Sequence, residues 1–191
     1  MVCAWVTSLI GLICLARIGC VTLSLGLFTT TFLFLYSWWL KDCFGLLANI
    51  ALSACLALLP VGAAFHGQTK PQIGFIFGTV FGLMLCREVV KDIQDRSGDA
   101  STGRRTLATA KHELLAVVMV VVGAIIAISC SLPFASELPL GVIVLVLDLI
   151  VGGTVLSWLS RRLTLAGLKH FLKVTMFGFA VVFLVMGVRY V

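Results

Sequence analysis

The chain has 191 residues, of which 61% are hydrophobic and only 12% charged, about half the charge of a typical soluble domain. A mean hydropathy of +1.16 leaves too little polar surface for a water-soluble globule, and a spanning helix needs roughly 20 apolar residues, so about seven spans with short loops fit the length. The net charge of +6 has no Lys/Arg run with interleaved aromatics behind it, which sets nucleic acid aside and turns the basic residues into topology markers.

Seven apolar segments run approximately over 1–16, 19–39, 44–64, 71–89, 113–132, 138–158 and 171–188, bounded by charges, Gly and Pro. The first is apolar from its second residue, without a basic leader region or a small-residue cleavage site, and reads as a span, not a signal peptide. The second ends in Tyr36, Trp38 and Trp39 followed by Lys41, an aromatic belt at a membrane interface. The fourth carries Gly74, Gly78 and Gly82, whose spacing by four aligns them on one face for close helix packing. Pro60, Pro71, Pro133 and Pro139 lie at or near segment ends. The seven cysteines are scattered, with no C-x-x-C pair, and read as small packing residues. The expectation is an all-α, polytopic helical bundle forming one membrane domain over 1–191.

Assigning the connections to alternating sides separates the basic residues sharply. One side receives Lys41, the six from Arg87 to Lys111 and the four from Arg161 to Lys173; the other receives Arg17, Lys70 and Arg189. The first side is therefore expected to be cytoplasmic, in a plasma (inner) membrane. It also holds the longest connection, roughly 90–112. Within it Asp92, Asp95 and Asp99 are spaced i, i+3, i+7, with Glu88 four residues earlier, so a helix continuing from the fourth segment would place these acids on one face. Such a stripe repels itself unless cations intervene. Lys91, Arg104 and Arg105 supply some, and Mg²⁺ is commonly held by one or two carboxylates together with substrate phosphates. Acids for a metal beside bases for phosphate oxygens suit a diphosphate leaving group. A solvated loop of mixed charge is the other reading the spacing leaves open.

The run from Arg87 through Lys91, Asp92, Asp95, Gly98 and Asp99 to Gly103, Arg104, Arg105, Thr106 and Leu107 resembles the second aspartate-rich motif of the UbiA superfamily of intramembrane prenyltransferases. Tyr36 to Lys41, with Asn49 following, is similar to that family's Tyr/Lys motif, and Leu168, Lys169, His170 and Lys173 to the start of its last helix. The resemblance implies a nine-helix fold around a lipid-facing cavity, with the segments here matching helices three to nine. It implies Mg²⁺ as cofactor, and a polyprenyl diphosphate and a lipid or aromatic acceptor as substrates. Asp92, Asp95 and Asp99 would bind metal and diphosphate, and Lys41, Lys91 and Arg105 would face the diphosphate. Tyr36 would stabilise an allylic cation through its ring, and Asn49 would line the cavity. The aspartate run looks most like enzymes that geranylgeranylate geranylgeranylglyceryl phosphate. The family's first aspartate motif has no counterpart here, since no Asp or Glu precedes Asp42. Little or no turnover by these residues alone is therefore expected.

Asp148, within the sixth segment, is a candidate for the acceptor cavity or for a buried structural pair. His66, His112 and His170 read as interfacial. The rival classes are a non-catalytic prenyl-lipid-binding homologue and a small transporter subunit. No internal repeat supports the transporter, which has no need of an aspartate triad outside its spans.

Overall fold

The computed structural model describes residues 9, 11, 13, 16, 17, 19–36, 38, 45–64, 70–101, 113–136 and 140–189. Among the described residues six long α-helices follow one another: α1 Cys20–Leu35, α2 Gly45–Ala64, α3 Lys70–Ser101, α4 Glu113–Ser131, α5 Leu140–Leu159 and α6 Leu165–Arg189, with a 3₁₀ turn at Leu132–Ser136 between α4 and α5. Five of them, α2 to α6, are long and apolar enough to cross a membrane; α1, at 16 residues, is shorter. The expected seven segments are thus met by five candidate spans and the short α1, while most of segment 1–16 lies outside the described residues. The described residues are nearly all helical, and five long apolar helices are consistent with a multi-pass integral membrane protein.

Helix α3 is the hub. It packs along α4 and α2 and also touches α6, whereas α5 packs on α4 and α6. The α3–α4 contact is close because of its small residues. A Cβ on Gly82 would run into the Gly123 carbonyl and lie 2.7 Å from the Ala127 backbone nitrogen, and one on Gly78 would strike the Cys130 thiol. The backbones approach because no side chain separates them. Gly74 has nothing within 4 Å of its would-be Cβ, so only two of the three spaced glycines serve this seam. Cys86 adds a thiol hydrogen bond to the Val120 carbonyl at 3.0 Å. Around the seam, Leu85, Val89, Ala116, Val120 and Ala127 are fully buried, in keeping with packing as the source of helix association in lipid.

Two boundaries differ from the sequence expectation. The connection expected over 90–112 is helical as far as Ser101, so α3 is 32 residues long. At 1.5 Å per residue that is about 48 Å, well beyond a hydrocarbon core of about 30 Å. Its last turns therefore project past the bilayer with the aspartates on them. Helix α6 begins six residues before the apolar run at 171, because Thr164 caps it: its hydroxyl accepts from the Gly167 N–H at 3.2 Å. The preceding turn closes α5 with Arg161 N–H to Trp158 and Arg162 N–H to Ser157 carbonyls, both at 2.9 Å. This is a Schellman ending, with Arg161 at φ 57 in the left-handed position. Arg161 and Arg162 also stand at the negative end of the α5 dipole.

Candidate functional site

The C-terminal part of α3 carries the acids, and α2 presents a partner to them. Asn49, one turn into α2 and only 2% exposed, donates from Nδ2 to Asp92 Oδ2 at 2.7 Å. Ser53, one turn further, bonds back to the Asn49 carbonyl at 2.7 Å and holds that turn tight. Glu88 is buried and paired with the Arg87 guanidinium. Asp99 is buried, Asp92 half-buried and Asp95 exposed. Tyr36, at the C-terminal end of α1, stands within electrostatic reach of Glu88 and Asp92. Lys169, near the start of α6, donates to Gln94 of α3 at 3.0 Å. The C-terminal ends of α1 and α3 and the N-terminal ends of α2 and α6 thus meet on one side of the bundle, the side that the basic residues mark.

Of the residues singled out in the sequence, the structure brings together Tyr36, Asn49 and Asp92. Lys91 is half-buried on α3 beside Asp92. Lys41, Arg104, Arg105 and His112 lie outside the described residues. Asp148 is elsewhere. It is buried between α5 and α4, and Ser131 Oγ lies 2.7 Å from its Oδ1. Ser131 is level with the α3 turn near Gly78, whose neighbour on α4 is Cys130. Fourteen residues of α3 separate Gly78 from Asp92, roughly 20 Å along the axis.

Sharing a helix face did not make the aspartates converge. Among the described residues, no three His, Cys, Asp or Glu side chains gather closely enough to hold a metal ion. The reason is axial: Asp92 and Asp99 lie seven residues apart, about 10 Å of rise, which one ion cannot bridge. Asp92 and Asp95, one turn apart, do suit the other mode of Mg²⁺ binding, in which one or two carboxylates hold an ion completed by substrate phosphates and water.

Between α2, α3 and α6, about 10 Å along the helices from Asn49 and Asp92, lies an open cavity of about 390 Å³, walled by Leu56, Leu59 and Pro60 of α2, Val80, Leu83 and Met84 of α3, and Lys173, Met176, Phe177, Phe179 and Ala180 of α6. Pro60 sits inside α2 and cannot donate to the Leu56 carbonyl, so the helix is loosened where the cavity opens. The volume is within the range of small-molecule sites. Sequence reasoning missed the cavity and the place of Lys173 on it, since that lysine read as a topology marker and as part of the last-helix stretch, with no neighbour on α2 or α3.

An apolar cavity between α2, α3 and α6, with acids and an amide further along α2 and α3, fits an intramembrane site for an amphiphile with a polar head. The family comparison agrees: the model of the UbiA prenyltransferase family matches residues 1–181, and the chain belongs to that family. Among curated proteins it is similar to the digeranylgeranylglyceryl phosphate synthase of Methanopyrus kandleri, 33% identical over 59% of this chain and 41% of the relative. It is likewise similar to that of Pyrococcus furiosus, 31% identical over 62% of this chain and 43% of the relative. The matched stretches therefore span less than half the length of these relatives. No solved structure matches the chain.

Proposed function

We propose that the protein is a Mg²⁺-dependent intramembrane prenyltransferase that moves a polyprenyl group from its diphosphate to a lipid or aromatic acceptor, with its aspartate face on the cytoplasmic side of the inner membrane. Family membership supports the reaction class, and the similarity to digeranylgeranylglyceryl phosphate synthases favours a glyceryl-phosphate lipid as acceptor. The observation that carries the reading is the Asn49–Asp92 pair, which joins the same two helices, α2 and α3, that wall the apolar cavity about 10 Å further along.

In this reading the isoprenoid chain lies between α2, α3 and α6, and its diphosphate meets the end of α3. Asp92 and Asp95 would hold Mg²⁺, which supplies charge neutralisation for the departing diphosphate. Asn49 fixes the Asp92 carboxylate through a charge-assisted hydrogen bond. Lys91, Lys41 and Arg105 would supply the cations for the phosphate oxygens. Tyr36 offers its ring to the allylic carbon as positive charge develops there. The apolar walls keep water from that carbon until the acceptor attacks.

The test is transfer of labelled geranylgeranyl from its diphosphate to geranylgeranylglyceryl phosphate, and to an aromatic acid, by purified protein with Mg²⁺. Product that disappears in Asp95→Asn, at equal expression, is expected. Product formation indifferent to that substitution, or transport of a solute without any prenyl transfer, would overturn the proposal.

A further inference from the structure

Helix α6 turns two lysines, one turn apart, toward the acid end of the bundle, and their surroundings differ. Lys169 is held by Gln94. Lys173 has no hydrogen bond or ion pair among the described residues, although it lies within the apolar stretch Leu165–Val182. It is eight residues into α6, about 12 Å along the axis. An ammonium within a span is expensive in hydrocarbon and finds either the interface or an anion.

The position favours an anion. Lys173 is the charged residue among the otherwise apolar walls of the 390 Å³ cavity. Lys169 near the start of α6 meets Gln94 near the end of α3, while residues 173–180 of α6 share the cavity with residues 80–84 of α3, so the two helices run antiparallel. With Lys169 level with Gln94, Lys173 is level with about Val90, within the turn that links Glu88 to Asp92. Val80, Leu83 and Met84 lie deeper. Lys173, an exposed residue, therefore stands at the end of the apolar cavity nearer the acids of α3.

We propose that Lys173 is a recognition residue for the phosphoryl head of an isoprenoid lipid whose chain fills this cavity. The proposal rests on the functional reading above. An ammonium is a point charge that donates to phosphoryl oxygens without demanding one planar geometry. Two ligands of the reaction would carry such oxygens, the diphosphate of the donor and a phosphate monoester on a glyceryl acceptor. A head held between Lys173 on α6 and the α2–α3 face would be gripped from both walls, with its chain directed into the cavity.

The experiment measures equilibrium binding of geranylgeranyl diphosphate, geranylgeranylglyceryl phosphate and uncharged geranylgeraniol to the full chain in nanodiscs with Mg²⁺. Lys173→Gln should weaken at least one phosphorylated ligand about 10-fold or more, and leave the alcohol within about 2-fold. The ligand that loses affinity identifies the head group. Lys173→Arg should retain most of the affinity. Equal losses for all three ligands would reduce Lys173 to packing by its aliphatic stem and overturn the proposal, as would no loss for any. Should the wild type bind neither phosphorylated isoprenoid, the functional reading falls, and dodecyl phosphate decides separately on Lys173. Binding lost in Lys173→Gln keeps the recognition role, and binding indifferent to it removes that as well.

Discussion

Asn49→Ala removes the hydrogen bond that α2 gives to the aspartate face. The donor is 2% exposed and only 2.7 Å from Asp92 Oδ2, so the bond is shielded from water and made to a group that can carry charge. Hydrogen bonds of that kind contribute about 1.5–3 kcal/mol, and each 1.4 kcal/mol is a factor of ten. If the bond serves to aim Asp92 at a metal-diphosphate head, its loss weakens Mg²⁺-dependent binding of geranylgeranyl diphosphate by roughly 10- to 100-fold. Asn49→Asp is the sharper variant. It keeps the shape and replaces the donor with an acceptor, so two carboxylates face each other across the same gap. At neutral pH the loss should equal or exceed that of Asn49→Ala. It should shrink as pH falls and the pair takes up a shared proton, which restores a donor. The assay is isothermal titration of the diphosphate into protein in nanodiscs, across a Mg²⁺ series, with helicity and melting temperature recorded for each variant. Unchanged affinity and Mg²⁺ dependence in both folded variants would show that the contact is structural and that the aspartate is not aimed by α2.

Gly82→Ala should lower stability by about 1–3 kcal/mol, read as a fall in melting temperature, because its Cβ meets the Gly123 and Ala127 backbones and neither can rotate away. Gly74→Ala, with open space at its Cβ, should be neutral or slightly stabilising in the same measurement. Asp148→Ala removes the α4–α5 contact to Ser131, whose hydroxyl still donates to the Ile128 carbonyl at 2.9 Å, and should cost no more than about 1 kcal/mol of stability, with geranylgeranyl diphosphate affinity unchanged in the folded protein, since it lies far along the bundle from Asp92. Single cysteines at Ser101 and Glu137, in a background without the native cysteines, should label from opposite faces of the membrane; labelling of both from the outer face would reverse the positive-inside assignment.

Segment boundaries were legible where charge and apolarity change abruptly, as at Gly45–Ala64 and Glu113–Ser131. They were illegible where a helix outlives its hydrophobic run. The α3 helix goes on through Arg87–Ser101 as a charged extension, and α6 starts at the Thr164 cap amid Lys169 and His170. Hydropathy marks the bilayer, whereas caps and backbone bonds mark the helix. The small-residue face at Gly78 and Gly82 was readable because its period is local. The Asn49–Asp92 contact was not, because it joins residues 43 apart in sequence and depends on how two helices are rotated against each other. The same limit hid Ser131 as the neighbour of Asp148 and Lys173 as part of the cavity wall. The i, i+3, i+7 spacing located the aspartates correctly on one face, yet spacing around a helix says nothing of the axial distance that keeps Asp92 and Asp99 from sharing an ion.

The central claim is that the end of α3 binds an isoprenoid diphosphate through magnesium. Retention of radiolabelled geranylgeranyl diphosphate by the purified protein, in Mg²⁺ and in excess EDTA, tests it directly, with Asp92→Asn and Asp95→Asn measured alongside. The account predicts saturable binding that EDTA abolishes and that each substitution reduces by about 10-fold or more. Binding of equal strength in EDTA, or in both asparagine variants, would contradict it.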